Sequence, residues 1–437
     1  MKEVNKPVPM ELNKKGLKEV NDLVDKPVSK DAPKDMPEVP KKVPSFDTTH
    51  LEPKTGDFPT PRSPIGRSKS AWGQKLAVKW EPALRSKSLP VISARRADIN
   101  LDDETLAEVA RLQKELVETS KKSKVLNLND FFWKKNFAFG TQELSGVPGQ
   151  ARNTTGVLPE HVQVSCLKGC KGTSDHGPNQ DNFSYCEYKG FEILTVLDGH
   201  GGGGHFVSYR AIQSLIFFLC TSPHFPLNMH SAISDAYLKC QEDLSRNSVD
   251  SGFDIQISGA ACVLLVRKNN KVWISHAGDS RIVIGNSESK DVLFETNDHK
   301  PTNAEEKKRL ETSGAEVQTF QFEQGSVEIS RVFVKGTDYP GLCMSRSLGD
   351  VCVKSCGVVA EPEISEFTVK NGDYIVLGTD GVWEFIPSKL VTSSFAKKLN
   401  VEGTQKCLSR IVTEAKKRWK TNEGNYCDDI TAMIIRF

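Results

Sequence analysis

The chain has 437 residues and a net charge of only +2, with 58 Lys and Arg against 56 Asp and Glu. A charge this close to balance argues against a nucleic-acid binder, which would usually carry a strongly basic domain. The longest apolar run, residues 215–220, is far too short to cross a bilayer, so we expect no membrane span.

Cysteine usage and the start of the chain indicate the compartment. All 11 cysteines lie after residue 165, and the polar start of the chain is not typical of a secretory signal. Lys2 stands where N-myristoylation requires glycine. Cys166 with Cys170, and Cys352 with Cys356, have three-residue gaps and no nearby His pair, which disfavours zinc. We therefore expect reduced thiols in a cytoplasmic or nuclear protein.

Residues 1–98 are predicted to be a disordered extension, because Lys, Pro and Ser alternate there without an apolar period. Within it, an arginine stands three residues before both Ser70 and Ser88, which suits basophilic kinases. The second copy, Arg85-Ser86-Lys87-Ser88-Leu89-Pro90, also resembles a 14-3-3 docking motif, since phosphate on Ser88 would offer charge to an arginine cluster. A solvated basic linker is the alternative.

Residues 99–150 are predicted to be a helical and aromatic linker. An apolar stripe at helical spacing predicts a helix over residues 100–123. This helix would brace the domain that follows, dock a partner or cover a cleft. An aromatic cluster then follows, and we expect it to anchor the linker: Phe131, Phe132, Trp133, Phe137 and Phe139.

From residue 151 to residue 437 the pattern predicts one α+β domain. Strands are expected at residues 162–166, 191–197, 260–267, 272–277, 282–285 and 374–378. Helices are expected at residues 206–220, 229–246, 304–313, 389–400 and 405–420. Residues 260–267 and 271–277, joined by Asn269-Asn270, form a predicted hairpin. The order therefore predicts antiparallel sheets with helices on their faces.

Four aspartates stand in turn or glycine-rich settings, most of them beside predicted strands: Asp181, Asp198, Asp380 and Asp428. Taken singly, an Asp-Gly pair after a strand is typical of a turn. Together, carboxylates at strand ends beside glycines are what a hard cation such as Mg²⁺ or Mn²⁺ requires. Glycine also lets a backbone carbonyl approach closely enough to ligate.

An ordered set of further motifs surrounds these aspartates. It comprises Ser258-Gly259-Ala260-Ala261, His276-Ala277-Gly278-Asp279-Ser280-Arg281, Asn297-Asp298-His299-Lys300-Pro301, Met344-Ser345-Arg346-Ser347-Leu348-Gly349-Asp350 and Ala360-Glu361-Pro362-Glu363-Ile364. In this order the chain resembles the metal-dependent protein phosphatases of the protein phosphatase 2C (PPM) family, from about residue 162 to residue 437. The resemblance implies a four-layer α-β-β-α sandwich of two antiparallel sheets.

The same resemblance implies hydrolysis of phosphoserine and phosphothreonine on proteins by a binuclear Mg²⁺ or Mn²⁺ centre, with a metal-bound water as nucleophile. Asp198 would bridge the two ions and the Gly199 carbonyl would ligate one of them. Asp380 and Asp428 would complete the other coordination sphere, and Asp181 would contribute directly or through water.

Three further residues take roles by resemblance. His200 would be the general acid for the leaving alkoxide, or alternatively would hydrogen-bond a ligand carboxylate. Asp279 and Glu384 would hold a third, weaker ion. We expect Asp429, in place of a frequent asparagine, to face away from the metals.

The chain departs from the family pattern in two places. Gln180 replaces a frequent glutamate, which reduces the negative charge at the site. The phosphate-binding arginine of animal members has no counterpart here. The basic residues of the corresponding stretch, residues 166–178, are Lys168, Lys171 and His176. A lysine would supply a point charge without bidentate geometry.

Other motifs are expected to be structural. Residues 298–301 would form a turn that opens the following helix, and Arg346 would form an internal ion pair. Residues 316–340, polar and irregular, would form a flap beside the active site that determines substrate choice.

Two alternative functions remain at this point. One is a catalytically weak pseudophosphatase that binds phosphoproteins as a scaffold, supported by Gln180 and the missing arginine. The other is a metal-dependent hydrolase of small phosphorylated molecules. If the chain is a protein phosphatase, we expect phosphorylated proteins as its substrates and a monomer as its oligomeric state.

Overall fold

The computed structural model describes residues 158–437 apart from 173–174, 176, 252, 290, 322–327 and 396–397, together with 103–104, 106–107, 109–111, 114, 137–140 and 154–155. The described residues belong to one unit that spans Ser86–Phe437. Residues 1–98, including Ser70 and Ser88, lie outside the described part.

The strands and helices follow in chain order. The strands are β1 (Phe137–Gly140), β2 (Thr154–Thr155), β3 (Val162–Leu167), β4 (Cys170–Lys171), β5 (Asn182–Tyr188), β6 (Phe191–His200), β7 (Gly259–Lys268), β8 (Lys271–Ala277), β9 (Arg281–Asn286), β10 (Val292–Glu295), β11 (Ala315–Gln321), β12 (Glu328–Val334), β13 (Pro340–Leu342), β14 (Leu348–Gly349), β15 (Glu363–Thr368), β16 (Asp373–Gly378), β17 (Tyr426–Cys427) and β18 (Ile430–Arg436). The helices are α1 (Gly204–Thr221), α2 (Met229–Ser251), α3 (Ala304–Thr312), α4 (Val351–Lys354), α5 (Asp380–Trp383), α6 (Ser388–Leu390), α7 (Leu399–Glu402) and α8 (Thr404–Glu423), with a π-helical turn at Val391–Phe395.

Two antiparallel sheets form the centre of the fold. The first has the order β15-β8-β7-β6-β5-β1-β2, with β14 also paired to β7. The second has the order β10-β9-β16-β18-β3. A small sheet, β11-β12-β13, and a two-stranded ribbon of β17 with β4 lie outside them. The predicted hairpin is confirmed, because β7 pairs with β8.

The sheets stack because their strands alternate apolar side chains between two cores. In β6, Ile193 and Leu197 belong to a core shared with α1 and α2, whereas Leu194 and Val196 face a second core. Side chains at alternate positions point to opposite faces of a strand. Met433 and other inward side chains of β16 and β18 fill that second core.

The outer face of the second sheet is covered by helices. Val376 and Ile434 belong to a third core with Ile411 and Trp419 of α8. The layers are therefore helix, sheet, sheet and helix, and the predicted α+β sandwich is confirmed.

Part of the predicted linker contributes to this unit. Its described residues at 103–104, 106–107, 109–111 and 114 are helical, and Val109 is only 1% exposed within the core beneath α1 and α2. β1 pairs with β5 at the edge of the first sheet. The bracing role of this helix and the domain boundaries at residues 98 and 150 stay predictions.

Three sequence predictions are wrong in detail. Residues 389–400 do not form one helix, because α6, a π-helical turn and α7 divide that stretch. The flap is not irregular, since β11 and β12 pair over seven positions, Ala315↔Val334 through Gln321↔Glu328. The strand predicted to end at Leu197 continues as β6 through His200, paired with β7.

The longest apolar segment, residues 215–220, is helical. It lies in α1, whose side chains are largely buried against the first sheet. Within the described residues, no helix has the length and apolar character needed to cross a membrane.

Candidate active site

Four strand ends bring the predicted aspartates together. Asp181 directly precedes β5 and Asp198 lies near the end of β6, both in the first sheet. Asp380 follows β16 and Asp428 precedes β18, both in the second sheet. Burial, and then the charges of Asp380, Asp181 and Asp428, hold the pKa of Asp198 well above its ordinary range. The four carboxyls thus form one cluster where the two sheets meet.

Asp380 couples the two sheets most directly. Burial, followed by the charges of Asp428 and Asp279, raises its pKa to about 7, and its side chain shares a hydrogen bond with Asp198. Like charges forced together in a buried place favour protonation unless a cation neutralises them. The cluster is therefore built to hold positive charge.

A threonine from the second sheet orients Asp181. Thr379 donates its hydroxyl to Oδ2 of Asp181 at 3.0 Å. The backbone N–H of Thr431 in turn donates to the Thr379 oxygen at 3.1 Å. These bonds tie the start of β5 to the end of β16 and to β18.

The adjacent aspartates 428 and 429 have different surroundings. Asp429 is 2% exposed, and its oxygens accept the backbone N–H groups of Gly169 and Gln180 at 2.7 Å each. It thereby fastens two loops of the site, and its charge adds to burial, the larger cause, in raising the pKa of Asp181. The side chain of Asp428 is 20% exposed and faces Lys171. This difference favours Asp428 as the ligand.

Lys171 brings a positive charge to the cluster from residues 166–178, the stretch that lacks an arginine. Its Nζ lies 2.9 Å from Oδ1 of Asp428. Burial opposes its charge, but Asp428, Asp429 and Asp198 outweigh it and raise the pKa of Lys171. Lys168 instead pairs with Asp175 at 2.6 Å.

Lys300 is a second cation at the cluster, and the sequence alone assigns it no part in the site. Residues 298–301 do form the expected turn before α3, since the Asn303 N–H donates to the Lys300 carbonyl at 3.0 Å and Nδ2 of Asn303 donates to the Asp298 carbonyl at 2.6 Å. Lys300, however, places its Nζ 2.6 Å from Oδ2 of Asp279. Asp279, Asp380 and Glu384 together raise its pKa against burial. No sequence period marks Lys300, because only the fold brings it to Asp279.

His200 is paired with an aspartate that is not a predicted ligand. Its Nε2 lies 2.8 Å from Oδ2 of Asp350. Burial works against protonation, but this carboxylate dominates and raises the pKa of His200. In the sequence, Asp350 stands out only as the last residue of the motif at residues 344–350.

Gln180 uses both ends of its side-chain amide. Its Nε2 donates to the Gly201 carbonyl at 2.6 Å, and its Oε1 accepts from Lys171 at 3.1 Å. A glutamate at this position would not donate to that carbonyl. The departure from the family pattern is therefore accommodated by specific contacts.

Gly199 lies where no larger residue fits. A β-carbon there would stand 2.4 Å from the Gly204 carbonyl oxygen and 2.6 Å from that of Gln180. The glycine thus allows the end of β6 to run close beside these loops, as a ligating backbone carbonyl would require.

The residues fit a pair of hard cations. Oδ1 of Asp279 and Oδ1 of Asp380 are buried and accept no hydrogen bond within the described part of the chain. The side-chain atoms of the cluster that could ligate a metal are carboxylate oxygens, which Mg²⁺ and Mn²⁺ prefer. Asp181, Asp198, Asp380 and Asp428 would hold the ions.

A second group of possible ligands, His276, His299 and Glu363, does not suit a metal. The two imidazole rings stack with an interplanar angle of 10° and centroids 4.2 Å apart. Because a ring nitrogen ligates in its own plane, two stacked rings do not converge on one ion. Nε2 of His276 donates to the Asn297 carbonyl at 2.9 Å, and Nδ1 of His299 accepts from Gly278 N–H at 3.2 Å. The group is a hydrogen-bonded stack.

Arg346 forms the expected internal ion pair. Its Nη2 lies 2.7 Å from Oε1 of Glu306. Arg309 binds the same carboxylate through two hydrogen bonds of 2.6 and 2.7 Å. The guanidinium of Arg346 is therefore held in an ion pair within the protein.

Comparison with known proteins agrees with this geometry. A family model described as protein phosphatase 2C matches residues 163–424. "Probable protein phosphatase 2C 61" of Arabidopsis thaliana is 32% identical over 273 residues, covering 59% of this chain and 80% of the relative. "Probable protein phosphatase 2C 48" of Oryza sativa subsp. japonica is 29% identical over 313 residues, covering 65% and 87%.

Solved structures show the same fold. The serine-threonine phosphatase 2C from Toxoplasma gondii superimposes with a TM-score of 0.52 at 19% identity, covering 63% of this chain and 94% of that one. The chain belongs to the protein phosphatase 2C family, and its class is that of a protein phosphatase.

Proposed function

We propose that this protein hydrolyses phosphoserine and phosphothreonine esters on proteins at a binuclear Mg²⁺ or Mn²⁺ centre. The observation that carries the proposal is the cluster of Asp181, Asp198, Asp380 and Asp428, in which burial and then neighbouring carboxylates raise the pKa values of Asp181, Asp198 and Asp380. Such a cluster is costly to keep unless cations neutralise it.

When bound, two divalent cations lower the pKa of a water molecule and offset charge on the phosphoryl oxygens. Two side chains of the protein would act on the substrate itself. Lys171 offers a point charge to a phosphoryl oxygen, and His200 supplies a proton to the leaving oxygen. Asp279 and Glu384 would take a third ion, in competition with the ammonium of Lys300.

The substrate class is tested by comparing three substrates with the full-length protein in Mn²⁺. We expect turnover of a phosphothreonine peptide to exceed that of glucose 6-phosphate and of a nucleoside monophosphate by kcat/KM. Faster turnover of either small molecule would favour the small-molecule hydrolase. No turnover of any substrate by folded, Mn²⁺-loaded protein would favour the pseudophosphatase.

Lys171→Met is expected to raise KM for the phosphothreonine peptide by about tenfold, in proportion to one charge-assisted contact of about 1.5 kcal/mol. Removal of the ammonium beside Asp428 should also tighten Mn²⁺ binding, because the cation no longer competes with it. Steady-state kinetics and calorimetric Mn²⁺ titration measure the two effects.

Lys168→Met is the matched control for Lys171→Met. Lys168 lies in the same loop but pairs with Asp175 at 2.6 Å and lies 3.5 Å from Asp429, whereas Lys171 pairs with Asp428. In folded Lys168→Met, both KM and Mn²⁺ affinity should change less than in Lys171→Met, because Lys168 does not pair with Asp428. Equal changes in the two variants would remove Lys171 from the substrate site.

We also propose that phosphorylated Ser88 binds a 14-3-3 protein in the cytoplasm or nucleus. Ser88→Ala should abolish phosphate-dependent binding in a pull-down from kinase-treated full-length protein. Ser70→Ala is the control, because its motif lacks the proline found at Pro90. Binding that is absent in treated wild type, or unchanged in Ser88→Ala, would contradict the proposal.

A further inference from the structure

We propose that Cys170 and Cys427 form a redox-sensitive pair, which a hydroperoxide converts into a disulfide that weakens the neighbouring metal site. In the structure both cysteines are free thiols. The proposed function gives neither thiol a part, so the disulfide goes beyond that function. Only the effect of the disulfide on metal binding rests on the proposed function.

The strand pairing places the two cysteines directly opposite each other. β4 and β17 form a two-stranded antiparallel ribbon, in which Cys170 pairs with Cys427 and Lys171 pairs with Tyr426. Opposite residues of such a pair project their side chains to the same face, with β-carbons about 4.5–5.5 Å apart. A disulfide needs β-carbons about 3.5–4.5 Å apart. The two cysteines are therefore within about 1 Å of the separation that a disulfide requires.

The two faces of the ribbon have different surroundings. Because side chains alternate between the faces of a strand, Lys171 and Tyr426 lie on the face opposite to the cysteines. On that face Nζ of Lys171 lies 2.9 Å from Oδ1 of Asp428, and the Tyr426 hydroxyl donates to Oδ2 of Asp428 at 3.3 Å. Cys170 is exposed and Cys427 is half-buried. The thiols therefore lie on the outer face of the ribbon, where a small oxidant can reach them.

The contacts of the two sulfurs are weak and local. Sγ of Cys170 donates to the Gly172 carbonyl at 3.6 Å, and Sγ of Cys427 donates to the Asp428 carbonyl at 3.4 Å. A thiol is a weak hydrogen-bond donor, so these contacts do not hold the side chains firmly. Rotation about the two Cα–Cβ bonds can therefore bring the sulfurs together.

The ribbon is packed too closely to absorb a displacement. Gly169 precedes β4, and a β-carbon there would lie 2.2 Å from the carbonyl oxygens of Cys427 and Asp428. The Gly169 N–H also donates to Asp429 at 2.7 Å. A disulfide that draws β17 towards β4 therefore displaces Asp428, the residue directly after Cys427. Because Mg²⁺ requires near-ideal octahedral geometry with ligands at about 2.0–2.1 Å, this displacement should weaken metal binding.

The covalent step uses a hydroperoxide as its oxidant. The sulfur of Cys170 attacks one peroxide oxygen, so that an S–O bond forms and the O–O bond breaks. The other oxygen takes the thiol proton and leaves as water or an alcohol. The sulfur of Cys427 then attacks that of Cys170, the S–S bond forms, and the hydroxide released from the S–O bond leaves as water with the Cys427 proton. The two sulfurs lose two electrons, which the peroxide gains.

Peptide mapping tests the disulfide itself. Metal-free full-length protein is treated with hydrogen peroxide, freed of the oxidant and digested without reductant. We expect a cross-linked peptide that joins Cys170 to Cys427 and that disappears after dithiothreitol. Calorimetric Mn²⁺ affinity of the same oxidised protein should fall about tenfold, the lower end of the effect of disturbing the surroundings of a metal ligand, and return on reduction. Absence of the cross-link, or a cross-link that leaves Mn²⁺ affinity unchanged, would overturn the inference.

Two single substitutions separate this pair from the other thiols of the chain. Cys170→Ser removes the exposed thiol, so its Mn²⁺ affinity should be the same with and without peroxide. Cys356→Ser is the matched control, because Cys356 is half-buried like Cys427 but follows α4 rather than lying in the ribbon. Its response to peroxide should equal that of wild type. A loss of Mn²⁺ affinity in peroxide-treated Cys170→Ser as large as the wild-type loss would overturn the inference.

The two measurements also distinguish this inference from the proposed function. Reduced wild type that binds no Mn²⁺ would refute the proposed function, whereas the peptide map would still decide whether the Cys170–Cys427 disulfide forms. Reduced wild type that binds Mn²⁺ but yields no cross-linked peptide would overturn the inference and leave the proposed function standing.

Discussion

Asp380→Asn is expected to lower kcat on a phosphothreonine peptide by roughly a thousandfold or more, the equivalent of several kcal/mol of transition-state stabilisation. Asp380 lies at the centre of the cluster, where it shares a hydrogen bond with Asp198 and feels the charges of Asp428 and Asp279. Asparagine keeps the shape of the side chain but removes the charge that would hold a cation. Steady-state kinetics at saturating Mn²⁺ measure the loss.

The same substitution should not unfold the metal-free protein. The pKa of Asp380 is raised to about 7 from an ordinary 3.8, so the folded state binds this proton more tightly than the unfolded state does. Stability therefore falls as the pH rises from about 4 to about 7, since the proton is lost first from the unfolded chain. Asparagine does not titrate, so metal-free Asp380→Asn should melt at or above the wild-type temperature at pH 8. Retained turnover in this variant would refute its role.

Glu306→Gln is expected to destabilise the fold by about 3 kcal/mol, because it leaves two partly buried arginines without their shared partner. The Glu306 side chain is 6% exposed and pairs with Arg309 at 2.6 Å and Arg346 at 2.7 Å. The Ser345 hydroxyl also donates to it. Urea unfolding at pH 7 measures the loss.

The pH dependence of this effect has a definite sign. Burial opposes the ionised form of Glu306, but the hydrogen bonds from Arg309, Arg346 and Ser345 outweigh burial and hold the pKa of Glu306 below its ordinary 4.5. Its stabilisation is therefore present above about pH 4.5 and is lost as the pH falls further. The gap between wild type and Glu306→Gln should narrow in acid.

Glu311→Gln on the same helix is the matched control for Glu306→Gln. Its side chain is 57% exposed and lies 3.8 Å from Lys307. Exposed pairs of this kind contribute less than about 1 kcal/mol. An equal loss in both variants would show that α3 has a general sensitivity and that the buried pair has no special part.

Much of the fold was predictable from local pattern. β7 and β8 are nearly continuous buried runs and are joined by a turn at Asn269, whose φ is +56°. The long helices α1 and α8 carry apolar stripes. Such signals depend only on neighbours in sequence.

The errors arose where tertiary partners decide the structure. β11 and β12 are rich in polar side chains, and Thr319 and Ser330 share a cross-strand hydrogen bond of 2.8 Å. Their pairing, rather than an apolar period, makes them strands. The break in residues 389–400 contains Val391, Thr392 and two serines, all weaker helix formers than alanine or leucine.

The four aspartates of the candidate site were predictable from the sequence, but the contributions of Lys300 and Asp350 were not. Asp181, Asp198, Asp380 and Asp428 stand in recognisable turn-like or glycine-rich sequence settings, and the fold brings them together. Lys300 and Asp350 reach the site from distant segments, as shown by contacts spanning 21 and 150 positions. No local spacing encodes such contacts.

The central claim is tested most directly by titrating Mn²⁺ and Mg²⁺ into the metal-free full-length protein while measuring bound ions by calorimetry and turnover of a phosphothreonine peptide. The account predicts two ions per chain and turnover that rises with their occupancy from none in chelator. Full turnover in chelator, or two bound ions without any turnover by folded protein, would contradict it.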